Sequence, residues 1–150
     1  MNAVGGSWKS TDDAGWTRIV SVVDSGCVEH VGPPEMAPEV SIRPSVGSSR
    51  GQTYCVANGE DLDNLGQKTL AGYTAEGGKG SVTYQMANVT KPLFSVGQAC
   101  DEGNIVVFGS RGGMILNVAT KQATSFKRVN RNYEVDFWVE TAASVFPRLG

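Results

Sequence analysis

Apolar residues along this chain fall in short runs broken by turn residues, and nowhere do they recur at the three-and-four spacing of a long amphipathic helix. Short strands are the expected unit. Trp16 to Val23 is dense in Ile19, Val20, Val22 and Val23, reads as a buried strand, and runs straight into the turn Asp24-Ser25-Gly26. From His30 to Gly51 come Pro33, Pro34, Pro38 and Pro44, which argue against a regular helix or a central strand and predict a connecting loop with extended pieces. Gln52 to Ala57 then reads as a strand, Asn58-Gly59 as a hairpin turn lengthened by acidic Glu60 to Asp63, and Asn64 to Tyr73 as the return strand. A glycine-rich turn at Glu76 to Gly80 leads into a strand over Ser81–Val89. Ser95 is placed to cap a short helix running through Glu102, with Gly103 as its stop. Ile105 to Phe108, the turn Gly109 to Gly113 and Met114 to Val118 make a further hairpin, and Tyr133 to Val139 alternates as a late strand.

These elements predict an all-β domain over residues 16–139, with a flexible leader over 1–15 and a C-terminal tail over 140–150. A length of 150 residues fits one core rather than two. The net charge of −2 and the lack of a sustained basic run point away from nucleic acid, and Lys121, Lys127, Arg128 and Arg131 read as a solvated face. No apolar run is long enough to span a bilayer and the first ten residues lack a secretory pattern, so no membrane partner is expected. Cys27, Cys55 and Cys100 are odd in number and far apart, which predicts neither a metal site nor a disulfide framework and suits a reducing, cytoplasmic compartment. With one histidine, His30, schemes built on Ser-His-Asp or zinc-histidine have too few parts. No metal and no cofactor are expected, and chemistry falls to carboxylates.

Asp24 is the carboxylate in the right setting. A buried strand holds it rigidly, Ser25 offers a hydroxyl to stiffen the loop, and Gly26 lets backbone approach the carboxylate with no Cβ in the way. Asp12-Asp13, Glu60-Asp61 and Asp101-Glu102 lack that buried-strand setting and read as solvated turns.

The surrounding blocks extend the pattern: Val23-Asp24-Ser25-Gly26-Cys27 with His30 after it; Val56-Ala57-Asn58-Gly59 followed by Leu65-Gly66; Val89 to Gln98 containing Leu93-Phe94-Ser95-Val96; Asp101-Glu102-Gly103 with Val106-Val107-Phe108; and Tyr133-Glu134-Val135-Asp136. In order and spacing the chain resembles the retropepsin-type aspartic protease of copia-like retrotransposon polyproteins. The resemblance implies a closed β-barrel with a flap hairpin and one short helix, Asp24 as the catalytic residue, Ser25 and Gly26 supporting the active-site loop, and Ala57, Asn58 and Gly59 on a substrate-binding flap spanning about Gln52 to Tyr73. It also implies subunits joined through terminal strands, for which Tyr133 to Val139 is the candidate.

Carboxylate-driven hydrolysis needs a base to activate water and an acid to protonate the carbonyl oxygen, and this chain supplies one suitable aspartate. A homodimer follows, with a peptide or polyprotein as substrate and an optimum at mildly acidic pH. Three departures bear on this: Cys27 replaces alanine, Leu93-Phe94-Ser95 replaces two apolar residues and glycine, and the flap tip is acidic rather than glycine-rich. The last two motivate the alternative of a weakly active or inactive module that keeps the fold for binding or assembly. His30, three residues from Cys27, is expected to be structural, and Gly109 to Gly113 to be a turn rather than a phosphate cradle.

Overall fold

A computed structural model describes residues 7–12, 14–55 and 58–140. The strand carrying Asp24, β2 (Trp16–Asp24), buries alternate residues Thr17, Ile19, Ser21 and Val23, as its composition predicts. Along one edge it pairs antiparallel with β12 (Asn132–Glu140), from Val22 opposite Glu134 to Trp16 opposite Glu140. At its C-terminal end it pairs parallel with β8 (Leu93–Ser95), which sets Asp24 opposite Ser95. Beyond β8 lie β3 (Val31–Gly32), β7 (Lys79–Met86) and β6 (Gln67–Thr74), and β6 pairs with β12. The pairings thus pass from β2 through β8, β3, β7, β6 and β12 and return to β2.

From β12 the sheet continues outward through β11 (Ala123–Val129) and β10 (Gly112–Asn117) to β9 (Asn104–Phe108) at its edge. At the opposite end β1 (Lys9–Thr11) pairs with β2. The hairpin of β4 (Thr53–Cys55) and β5 (Asp61–Asp63) forms a separate two-stranded sheet. Among the described residues there are two short helices: α1 (Val46–Ser49), capped reciprocally by Ser45 and Ser48, and α2 (Val96–Asp101), capped by Ser95 and followed by Gly103 at φ +91.

Two apolar clusters hold this arrangement. Ile19, Leu70, Tyr84, Met86, Phe137 and Val139 pack with Met36 and Ala37, while Val23, Ile115, Phe126 and Val135 form a second cluster beneath the Asp24 end of β2. Each such large side chain taken out of water contributes about 1.5–3 kcal/mol. The Pro-rich segment is pinned over the first cluster by Lys68, whose Nζ donates to the carbonyls of Pro34, Met36 and Ala37 at 3.0, 2.8 and 3.1 Å.

Several expectations change. Part of the leader is a strand, because Lys9–Thr11 has the edge of β2 to pair with; residues 1–6 and the tail after Glu140 lie outside the described residues. The Pro-rich segment contains a strand interior to the sheet, β3, whose Val31 and Gly32 fit between His30 and the first proline. It also holds the single turn of α1. Asp61–Asp63, read as an acidic tip, are the strand β5 that pairs back to β4, and the strand read over Asn64–Tyr73 starts only after a bend at Gly66 (φ +126), where β6 leaves to pair with β7 and β12. A Cβ at Gly66 would meet the Arg43 carbonyl, so the bend needs glycine. Residues read as a basic face contain β11. Finally, β12 is paired along both edges, with β2 on one and with β11 and then β6 on the other, so it has no free edge to offer a second subunit.

Candidate active site

Asp24 ends β2 half-buried, and its Oδ1 accepts a hydrogen bond from the Gly26 backbone N–H at 2.8 Å. A Cβ at Gly26 would stand 3.3 Å from that oxygen, so glycine gives the turn its closeness to the carboxylate. Ser25 is exposed, and among the described residues its hydroxyl makes no hydrogen bond. Asp24 and Ser25 open on a hollow of about 380 Å³ whose other lining residues are Val22, Val23, Phe108, Asn132 and Tyr133. Phe108 meets Tyr133 edge-on at 4.9 Å, and Tyr133 Oη donates to the Gly109 carbonyl at 2.8 Å, fixing that wall.

The loop after Asp24 is bolted to β8 and α2. Ser95, fully buried, donates from Oγ to the Cys27 carbonyl at 2.6 Å and accepts from the Gln98 backbone N–H at 3.0 Å, so one hydroxyl caps the helix and holds the loop. This is the task of a serine where two apolar residues and glycine were the expected pattern. Gln98 Oε1 in turn accepts from the His30 backbone N–H at 2.8 Å, and His30 Nδ1 accepts from the Ser95 backbone N–H at 2.8 Å. The His30 ring is buried and stacks on Phe94 with centroids 4.3 Å apart; burial lowers its pKa to about 4, so it is a neutral structural acceptor. Cys27 donates from Sγ to the Glu29 carbonyl, and burial, with Asp24 and Glu29 nearby, pushes its thiol above the ordinary range. A protonated thiol of this kind is a poor nucleophile.

Glu29 links this loop to the hairpin. Its Oε1 accepts from Gln52 Nε2 at 3.1 Å and from Tyr54 Oη at 2.9 Å, and Asn64 Nδ2 reaches Tyr54 Oη, Gln52 Oε1 and Gln85 Oε1. Burial and the Glu29 carboxylate raise the Tyr54 pKa, which keeps the phenol a donor. At the tip, Asn58 Oδ1 accepts from the Glu60 N–H and Gly59 takes φ +86, a turn as the Asn-Gly pair predicts; both are exposed. Ala57 lies outside the described residues, and neither Asn58 nor Gly59 lines the hollow at Asp24. Among the described residues the hairpin is β4 paired with β5, and it ends at Asp63, short of the Tyr73 that sequence suggested.

Sequence reasoning missed Glu29, Tyr54 and Asn64 at the hairpin root and Phe108 in the wall. Glu29 carried one usable signal, a carboxylate on a short loop beside the candidate turn. Among the described residues no cluster of side chains is arranged to hold a metal ion, and no helix is long and apolar enough to cross a membrane. A larger cavity of about 490 Å³, lined in part by His30, Tyr84 and Asp136, does not include Asp24. No family model, curated protein or solved structure matches the chain.

Proposed function

We propose that the chain is a retropepsin-type aspartic endopeptidase that works as a homodimer and processes a polyprotein. The supporting observation is the setting of Asp24: a carboxylate at the end of a strand paired on both sides, closed by a glycine turn and opening on a hollow beside an aromatic wall. The ring of strand pairings from β2 back to β2 is what a closed barrel of that family requires, and β4–β5 takes the part of its flap. The free thiols of Cys27 and Cys100 suit a reducing, cytoplasmic setting.

In the proposed reaction the Asp24 carboxylates of two copies share one proton. The ionised one takes a proton from water as the hydroxyl attacks the scissile carbonyl carbon, and the protonated one delivers its proton to the carbonyl oxygen. As the tetrahedral diol collapses, one of its hydroxyls returns a proton to the second carboxylate, the C–N bond breaks, and the amine leaves with the proton held by the first carboxyl, which restores the starting pair. A symmetric pair needs no other titrating group, which agrees with His30 being locked as an acceptor and Cys27 as a thiol.

The test is incubation of the full chain with a complex peptide library, with products read by mass spectrometry. The wild type is expected to cut, and Asp24→Asn to lose at least a thousandfold in rate with an unchanged circular dichroism spectrum. Equal cleavage by the variant, or none by a wild-type dimer, refutes the proposal; the second result would favour the binding or assembly module.

A further inference from the structure

Between Glu134 and Phe137 the neighbour of β12 changes: Glu134 is its last residue paired with β11, and Phe137 its first paired with β6. The two apolar clusters part along the same seam, with Tyr84 and Phe137 on one side, and Ile115 and Val135, with Phe94 against them, on the other. The cavity of about 490 Å³ lies in this seam, since all five residues line it together with His30. Its size falls within the roughly 300–1,000 Å³ of small-molecule sites. Ser81, Thr120 and Gln122, exposed at its rim, leave it open to solvent.

The inner wall is apolar and aromatic, but one polar group in it is unmet. His30 Nδ1 accepts from the Ser95 backbone N–H, so the single proton of the neutral ring sits on Nε2. That N–H has no hydrogen-bond partner among the described residues. Asp136 Oδ1 is the one side-chain oxygen or nitrogen of those residues that is sealed in without a partner, so Nε2 faces open space, and the space this buried ring lines is the cavity. Tyr84 Oη, by contrast, is held by Ser21 Oγ at 2.7 Å.

Charge narrows what fits. Among the lining residues there is no lysine or arginine. Glu102 is exposed and bound by Gln98 Nε2 at 3.1 Å. Asp136, between the inward-facing Val135 and Phe137, turns to the other face of β12, where its Oδ2 stands 3.6 Å from Arg18 Nη1. An anion would therefore leave water for a site with no counter-charge, and a cation would find no carboxylate inside to meet it. We infer that this cavity binds a small uncharged aromatic compound whose carbonyl oxygen accepts a hydrogen bond from His30 Nε2. The rings of Tyr84, Phe94 and Phe137 supply the faces and edges for its aromatic body. The site is independent of the protease reading, because Asp24 does not line the cavity, and binding is expected whether or not the chain cleaves peptides.

Nuclear magnetic resonance of the full untagged chain reads the site directly, because His30 is its one histidine. The probe is acetophenone, a neutral aryl ketone; benzoate is its anionic counterpart and ethylbenzene its counterpart without oxygen. Acetophenone is expected to bind saturably, to move the His30 Nε2–H proton downfield, and to show Overhauser contacts from its methyl group to the His30 ring. Benzoate at pH 7 should bind at least tenfold more weakly, and ethylbenzene should leave that proton without the downfield shift. Thr124 lines the cavity opposite Ile115 and shares its face, so Thr124→Trp fills the space and should raise the acetophenone dissociation constant at least tenfold with an unchanged circular dichroism spectrum. Four results overturn the inference: no saturable binding, acetophenone bound with the Nε2–H proton unmoved, benzoate bound as tightly, or a folded Thr124→Trp that binds like the wild type. If that variant does not fold, the Overhauser contacts in the wild type decide, supporting the site when they reach His30 and overturning it when they do not.

Discussion

Acidification from pH 7 to pH 4 charges a histidine that the fold holds neutral. His30 is 2% exposed, stacked on Phe94, and uses Nδ1 as an acceptor for the Ser95 N–H. Protonation puts a hydrogen on that nitrogen, so two donors face each other and the bond is lost. Burial is the main cause that lowers the pKa from 6.5 to about 4. Above pH 6.5 the ring is neutral whether the chain is folded or not. Between 6.5 and 4 the unfolded chain takes up a proton that the folded one refuses, so stability falls with pH; below 4 both are charged and the loss is complete. At ~1.4 kcal/mol for each pH unit between the two values, the loss is about 3 kcal/mol, a large share of the ~5–15 kcal/mol that holds an ordinary domain together. Urea unfolding followed by tryptophan fluorescence at pH 7, 5.5 and 4 measures it. The comparison is with His30→Asn, whose Oδ1 offers an acceptor that does not titrate, so that carboxylates common to both proteins cancel. The wild type should lose about 3 kcal/mol more than the variant across this range. Curves that stay parallel to within ~1 kcal/mol would refute the reasoning. Because Ser95 lies opposite Asp24 in the sheet, the same protonation loosens the support of the carboxylate, and activity should collapse on the acid side together with stability.

Glu29→Ala removes the acceptor shared by Gln52 and Tyr54 and should cost about 1–3 kcal/mol at the hairpin root, read as faster amide exchange across Thr53–Asp63 with exchange in β2 unchanged. Equal exchange in the two proteins would mean that Glu29 does not anchor the hairpin. Lys68→Met keeps the apolar stem but leaves the carbonyls of Pro34, Met36 and Ala37 without their donor, and should destabilise the protein by about 2–5 kcal/mol in urea unfolding. A change below ~0.5 kcal/mol would show that water replaces the ammonium at no cost.

What could be read in advance was whatever local chemistry decides. The dense apolar run of β2 fixes a buried strand, and the Asp24 turn must follow it. Ser95 and Gly103 bracket α2 because a side-chain oxygen satisfies a free N–H at one end and a positive φ is tolerated at the other. What could not be read depends on distant partners. β3 supplies only two strand residues, and its place in the sheet is set by the His30 and Gly32 carbonyls accepting from Gln85 and Ala87, more than fifty positions away. β11 buries only Phe126 fully, so its lysine and arginine dominated the pattern although its backbone completes the ladder between β10 and β12. The site divides the same way. Asp24 was visible because a turn and a strand announce it, whereas Glu29, Tyr54 and Asn64 form a web whose members are each unremarkable polar residues until the fold assembles them.

That web also sets how the two parts of the proposed site move. β2 is held by ladders to β12 and β8 and by two apolar clusters, so exposing Asp24 by opening its strand means undoing the core. Among the described residues β4 and β5 pair only with each other, and their root is fixed by part-buried hydrogen bonds among Glu29, Gln52, Tyr54 and Asn64, which water can replace. Local opening therefore costs far less at the hairpin than at the carboxylate. For the proposed endopeptidase this division would keep Asp24 in register while the hairpin moves. Glu29 sits on the loop that follows Asp24, so a displacement of the hairpin root passes to the segment that carries Cys27 and, three residues before it, Asp24. Part-buried hydrogen bonds at that joint can be exchanged for bonds to water, so displacing it costs less than exposing an apolar contact of the same size.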